Sequence, residues 1–486
     1  MKNNINSTNK VIKAGFWYTF SNFLVKGIVF ITMPIFTRIM SKSDIGMFSN
    51  ITSWFSILAI ITTFEIFSSI NLARFDYKDE LDQYVSSSLI LESIITSFFY
   101  IVALIFHNFF QELFMINFQT LNIMFIYLLF YPAIQTFQIR NQISYNYKPI
   151  IKVSIISAVL STFVSILAVL LFENKLMARV YGYFIPLIII SIFVYISLLK
   201  KGKNYSSKYW KYAIIISFPL IWHLLAGYLL GSADKIMITK LISAEANSLY
   251  SVAYMISQIA SLLWTSMNNA WSPWAYKKMD EKNYEDLKEK SKPYSMAYLI
   301  IIYMMILFAP ELLLIMGGSN YIEAKYVMPP VMIGYLFQFF YSLYVNIEFY
   351  HKKQKNIAIG TIIAATINIG LNYLFIPKYG YIAAAYTTLI GYIVLFIIHF
   401  FFVKKLGCLE WYDKSFIFKI LIVSLCTIPI INILYKYNMI RYFLLFLVFI
   451  YLSYVIIKNK KSLIKALKKK DLNSLIMIIS GKKEVL

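Results

Sequence analysis

The chain has 486 residues, 59% of them hydrophobic, with a mean hydropathy of +0.66 and a formal net charge of +23. That much apolar surface exceeds what a water-soluble core of this length absorbs, and it recurs in stretches of the roughly 20 residues that cross a bilayer. A soluble protein is thereby excluded, and no nucleic-acid partner is expected despite the positive charge.

In chain order, apolar spans are expected at 15–39, 47–70, 84–107, 119–139, 150–172, 177–199, 212–233, 247–272, 294–316, 327–349, 356–376, 381–403, 416–435 and 441–457. These about fourteen spans are read as helices, because backbone groups in lipid must be satisfied within the segment. A β-barrel would alternate apolar and polar residues instead. The first stretch is too long for a signal-peptide core and lacks a small-x-small site, so it is expected to be retained. With the N-terminus inside, 35 of the 46 Lys and Arg fall on the cytoplasmic side, counting those at span ends; 10 fall outside, and Lys26 lies within the first span. Short cytoplasmic loops carry such an excess, so both termini are placed inside, and the charge also attracts anionic lipid.

The longest inner loop, 275–293, is charged with mixed signs and reads as a short surface helix supported by i,i+4 pairs. The tail from Lys458 carries nine basic residues among Leu463, Ile464, Leu467, Leu475 and Ile476, the pattern of an amphipathic segment on the inner leaflet. Outer loops of about 5–15 residues leave no room for an extracellular catalytic domain. Cys408 and Cys426 offer no disulfide framework.

An internal repeat is visible. Thr37-Arg38-Ile39-Met40-Ser41 reads against Thr239-Lys240-Leu241-Ile242-Ser243, and Met47-Phe48-Ser49 against Leu249-Tyr250-Ser251 at the same offset. Six spans separate the copies, so both have the same orientation, as in transporters built from two parallel halves. The all-α chain is therefore divided into a six-helix bundle at 1–200, a second at 201–405, two further spans at 406–458 and a basic tail at 459–486. Pro34, Pro132, Pro186, Pro219, Pro273, Pro310 and Pro429 punctuate the spans, where each removes a backbone donor.

Three motifs resemble a known family. Pro34, Thr37, Arg38, Ser41, Asp44 and Gly46 are similar to the P-x-x-T-R-x-x-S-x-x-D/E-x-G end of the first span in polysaccharide-biosynthesis flippases of the Wzx type. Asp234-Lys235-Ile236-Met237-Ile238 looks like that family's seventh-span D-R/K-x-x-I. Asn372, Pro377, Tyr379 and Gly380 resemble N-x-x-L-I-P-x-Y-G between spans 11 and 12, with Ala383 in place of a frequent glycine. The family belongs to the multidrug/oligosaccharidyl-lipid/polysaccharide exporter superfamily. The resemblance implies two six-helix bundles around a cavity. It also implies a cargo of oligosaccharide on polyprenyl diphosphate, moved to the outer leaflet of a bacterial cytoplasmic membrane by alternating access for capsule, O-antigen or similar polymers. A polymerase and glycosyltransferases of the same pathway are implied as partners, with the transporter itself a monomer.

Moving a diphosphate-sugar headgroup through a low-dielectric slab requires cations for the phosphates and polar or aromatic groups for the sugars. An ionisable residue inside a membrane is a functional candidate by default. Lys26 is expected either to attract the diphosphate or to pair with Glu92. Arg74, Arg140 and Lys152 are candidates for capturing the headgroup, and Asn268 and Asn269 for bonding sugar hydroxyls or neighbouring helices. Arg38, Asp234 and Lys240 are candidates for gating, and Glu65, Glu92 and His223 for coupling. No nucleotide loop is present, so an ion gradient, the membrane potential or the cargo gradient is the expected energy source, with no cofactor or metal and no enzymatic activity. Two other readings remain open: an ion-coupled exporter of drugs or organic cations from the same superfamily, and a membrane polysaccharide polymerase.

Overall fold

The computed structural model describes residues 2–203 and 205–458, which are almost wholly helical and contain no strand. The helices are α1 (Lys2–Ile39), α2 (Lys42–Thr63), α3 (Ile70–Asp76), α4 (Leu81–Ile105), α5 (His107–Phe114), α6 (Phe118–Ile143), α7 (Tyr147–Leu171), α8 (Lys175–Gly202) and α9 (Ser207–Leu241). They continue as α10 (Ala244–Asp280), α11 (Tyr284–Leu307), α12 (Ala309–Gly317), α13 (Met328–Tyr350), α14 (Gln354–Tyr379), α15 (Tyr381–Lys405), α16 (Lys414–Leu434) and α17 (Asn438–Lys458).

All fourteen expected spans fall on helices. Ten segments, those containing α2, α4, α6, α7, α8, α9, α13, α14, α15 and α16, are long and apolar enough to cross a membrane. The pair α11–α12 makes an eleventh, bent by 59°. The other three are α1, α10 and α17; α10 is diluted by Ser, Asn and Trp, and the apolar part of α17 is the shorter Asn438–Ile450. One expectation is corrected. The 275–293 segment is no separate surface helix: α10 runs on to Asp280 and α11 starts at Tyr284. Its charges pair across the turn, with Lys278 Nζ 2.9 Å from Glu281 and 3.1 Å from Asp286, so both helices extend beyond their apolar parts. The tail expected at 459–486 lies outside the described residues.

The prolines sit as expected. Six are inside helices, and Pro310 occupies the first turn of α12, just after the bend at Phe308. There its missing N–H costs nothing.

The chain groups into two compact units, Met1–Ser251 and Val252–Leu486. In the first, α8 packs against α7, α6 and α4. Gly182 of α8 approaches α7 so closely that a Cβ would strike the Ser165 backbone, the small-residue contact that lets membrane helices touch. In the second, α13 is central; it packs on α15, α11, α16 and α14, and every residue from Met328 to Phe337 is buried. A helix apolar on all sides belongs in such an interior.

The repeat has a structural counterpart. α1 ends 202 residues before α9 ends, and α2 starts 202 residues before α10 starts. Ser41 caps α2 by accepting from Asp44 N at 3.0 Å, and Ser243 accepts from Ala246 N at 3.2 Å in α10. The repeat-related Ser49 and Ser251 hydroxyls bond each other at 2.7 Å. Beside them Asn247 Nδ2 donates to Gly46 O at 2.8 Å, and a Cβ on Gly46 would overlap the Ala244 carbonyl.

Candidate functional site

The second span is broken. α2 stops at Thr63, and Phe64 and Glu65 both take φ = 51° before a 3-10 turn, Ile66–Ser69, leads into α3. Successive left-handed residues other than Gly are strained, and such strain persists only where the surroundings hold it. Here α4 supplies the hold. Thr96 Oγ1 donates to Thr62 O at 3.1 Å on one side of the break, and Phe67 N donates to Glu92 Oε1 at 2.8 Å on the other. Glu92 and Thr96 are one helical turn apart, so a single face of α4 replaces the hydrogen bonds that the break removes. Glu92 is 0% exposed and its Oε2 has no hydrogen-bond partner among the described residues. Glu65 is half-buried and accepts from Ser68 Oγ at 3.3 Å. Tyr84, on α4, shares a 2.6 Å hydrogen bond with Ser69.

The bent span in the second unit is held in the complementary way. Arg441 of α17 is 1% exposed and donates to Leu307 O at 2.7 Å, just before the bend. The same guanidinium grips Glu311 of α12 at 2.5 and 2.6 Å. Deeper in this unit Glu348 of α13 and His399 of α15, both fully buried, meet at 2.5 Å between Oε1 and Nδ1. The other ring nitrogen lies against Gly360 of α14, where a Cβ would collide with it.

The sequence candidates distribute as follows. Lys26 is exposed on α1 and Glu92 is sealed under the break, so the alternative Lys26–Glu92 pair is not formed. Arg140 is not a free cation: it binds Asp82 of α4 with two hydrogen bonds, at 2.5 and 2.8 Å. Arg74 lies over the Phe75 ring at 4.5 Å, and Lys152 is exposed in the second turn of α7. Asn268 takes part in an interhelical network: Asn346 Nδ2 of α13 donates to its Oδ1 at 3.2 Å, and Ser272 Oγ donates to Asn346 Oδ1 at 3.1 Å. Asn269 is exposed. Arg38 is exposed and donates to Pro34 O at 2.7 Å; Asp234 is buried and accepts from Tyr250 of α10; Lys240 is exposed at the end of α9. His223 is half-buried, and its Nδ1 has no partner among the described residues.

Sequence reasoning missed the Glu348–His399 and Glu311–Arg441 pairs. Their members lie 51 and 130 residues apart on different helices, and nothing in a single chain signals such pairing.

A helical membrane fold with one bent span, and a helix break at Phe64–Glu65 after α2, each tied to a buried charged side chain, is thus the class defined by the described residues. It is shared with solved transporters. The inward closed conformation of the lipid II flippase MurJ matches with a TM-score of 0.66 over 93% of this chain and 99% of that one, at 18% identity. An inward-facing multidrug resistance MATE family transporter of the MOP superfamily matches with a TM-score of 0.60 over 79% and 95%, at 15% identity. An uncharacterized membrane protein of Methanocaldococcus jannaschii is 25% identical over 474 residues, 87% of this chain and 90% of the relative. The profile of the polysaccharide biosynthesis protein family matches residues 11–279, more than half of the chain, and the MatE profile matches 219–374. The chain belongs to the polysaccharide biosynthesis protein family.

Proposed function

We propose that this protein flips polyprenyl-diphosphate-linked oligosaccharide from the inner to the outer leaflet of a bacterial cytoplasmic membrane, by alternating access between the six-helix halves 1–200 and 201–405. The product would feed a cell-surface polymer such as capsule or O-antigen. Family membership and the fold shared with a lipid II flippase support the transporter class. The observation that carries the cargo is Lys26, a mid-span cation that is exposed on α1 and joined to no carboxylate among the described residues. A lone cation at that depth is costly unless it meets water or an anion, and a diphosphate is such an anion.

The test is flipping of a fluorescent polyprenyl-diphosphate oligosaccharide in proteoliposomes, read by lectin access from the receiving side. Lys26→Ala is expected to reduce flipping about tenfold or more, the scale of one lost charge-assisted contact, while Lys26→Arg retains part of it. Unchanged flipping in Lys26→Ala would overturn the assignment. The match of 219–374 to the MatE profile supports a second reading, export of organic cations. A mid-span Lys repels such cargo, so in that case Lys26→Ala would leave dye efflux intact or raise it.

A further inference from the structure

We propose that the Glu92 carboxyl, seated under the break in the second span, binds a small monovalent cation, H+ or Na+, whose occupancy sets the grip of α4 on the break and couples transport to an ion gradient. The coupling clause rests on the transport reading above; the binding clause stands on the site alone.

Four observations converge. First, only one carboxylate oxygen of Glu92 is engaged, by Phe67 N, while Oε2 is buried with no partner. Thr62 Oγ1, at the other edge of the break, is likewise buried and unpartnered.

Second, the ionisable and polar groups named around Glu92 include no cation to neutralise it. The break contributes Glu65, its electrostatic neighbour. α6 contributes Tyr131, and α4 itself contributes Tyr84. α9 offers Ser217 Oγ, 3.5 Å from Ile66 O. No Lys, Arg or His is an electrostatic partner of Glu92 among the described residues. A buried carboxylate without a cation is prohibitively costly, so the free oxygen must carry a proton or a metal cation.

Third, the bound amide belongs to the strained segment. An ionised carboxylate accepts a stronger hydrogen bond than a neutral acid. Cation occupancy therefore alters the strength with which α4 holds Phe67, and so the stability of the conformation at Phe64 and Glu65. By reciprocity, any motion of the break alters cation affinity.

Fourth, no Gly or Pro lies between Ile61 and Ile70 to make the break by local preference. The break exists because α4 holds it, which is the condition for a ligand at Glu92 to control it.

The experiment uses the full chain in nanodiscs and infrared difference spectroscopy. Wild type is expected to show the C=O stretch of a desolvated carboxylic acid that Glu92→Gln lacks. If the ligand is H+, the band disappears on raising pH and ignores NaCl. If it is Na+, the band disappears on adding NaCl but not choline chloride. Glu92→Gln keeps an oxygen for Phe67 N and is expected to retain the wild-type melting temperature. Glu92→Asp is expected to retain a shifted band, which guards against misfolding of the Gln variant. Identical spectra for wild type and Glu92→Gln, with no response to pH or Na+, would overturn the proposal and leave a structural strap. In proteoliposomes the same variant is expected to lose stimulation of flipping by the matching gradient. Failure of wild type to flip any lipid-linked cargo would refute the transport reading while leaving the spectral result standing.

Discussion

Asp413 shows how much one carboxylate organises at the start of a span. It caps α16 by accepting from Phe416 N at 3.0 Å and pairs with Lys292 of α11 at 3.0 Å. The backbone N–H first, and the Lys292 ammonium second, hold its carboxyl below the usual carboxylate range. A group whose pKa is lower folded than unfolded stabilises above its unfolded pKa, about 4, and loses that contribution as pH falls through the folded value. Asp413→Ala is therefore expected to lower stability by about 1 kcal/mol at neutral pH. In a thermal melt series from neutral to acid pH, the gap between variant and wild type should close below about pH 4. A constant gap across that range would show that the charge plays no part. At this scale the sequence was only partly informative. It identified Glu92 and Lys26 as costly mid-span charges, because depth follows from counting. It could not say that Arg140 is committed to Asp82, or Asn268 to Asn346, because a partner on another helix leaves no local trace.

At the scale of elements, hydropathy was enough to place fourteen helices, and the repeat marked where two pairs of them turn. The break in the second span was not legible. Thr62, Thr63, Phe64 and Glu65 carry no turn signal, and tertiary contacts with α4 overrode their local preference. The charged stretch at 275–293 read as a loop because its polarity hid two helix ends that extend past the apolar region. The close approach of α2 and α10 gives a clean prediction. Gly46→Ala puts a methyl into the Ala244 carbonyl, and overpacking of this kind costs about 1–3 kcal/mol. Gly227 of α9 has nothing within 4 Å, so Gly227→Ala should be neutral or stabilise by up to about 1 kcal/mol. Melting temperatures in one detergent compare the two, and equal shifts would refute the contact argument.

For the whole molecule, the fold class was legible because only a bundle of spans accommodates this composition. Orientation rests on the basic-residue asymmetry, which predicts a cytoplasmic turn at 281–283. In a background lacking Cys408 and Cys426, Glu281→Cys should resist a membrane-impermeant maleimide in intact cells and react after permeabilisation. Labelling of intact cells would invert the topology.

The meeting of Ser49 with Ser251 has a consequence for biosynthesis. The Gly46 carbonyl and the Ser49 hydroxyl take their partners from a segment made 201 and 202 residues later. At translation rates of about 5–20 residues per second, α2 waits roughly 10–40 s in the insertion machinery with those groups unsealed. A nascent chain halted before α10 should therefore stay associated with insertion factors or be degraded, however well its seven preceding spans have entered the bilayer.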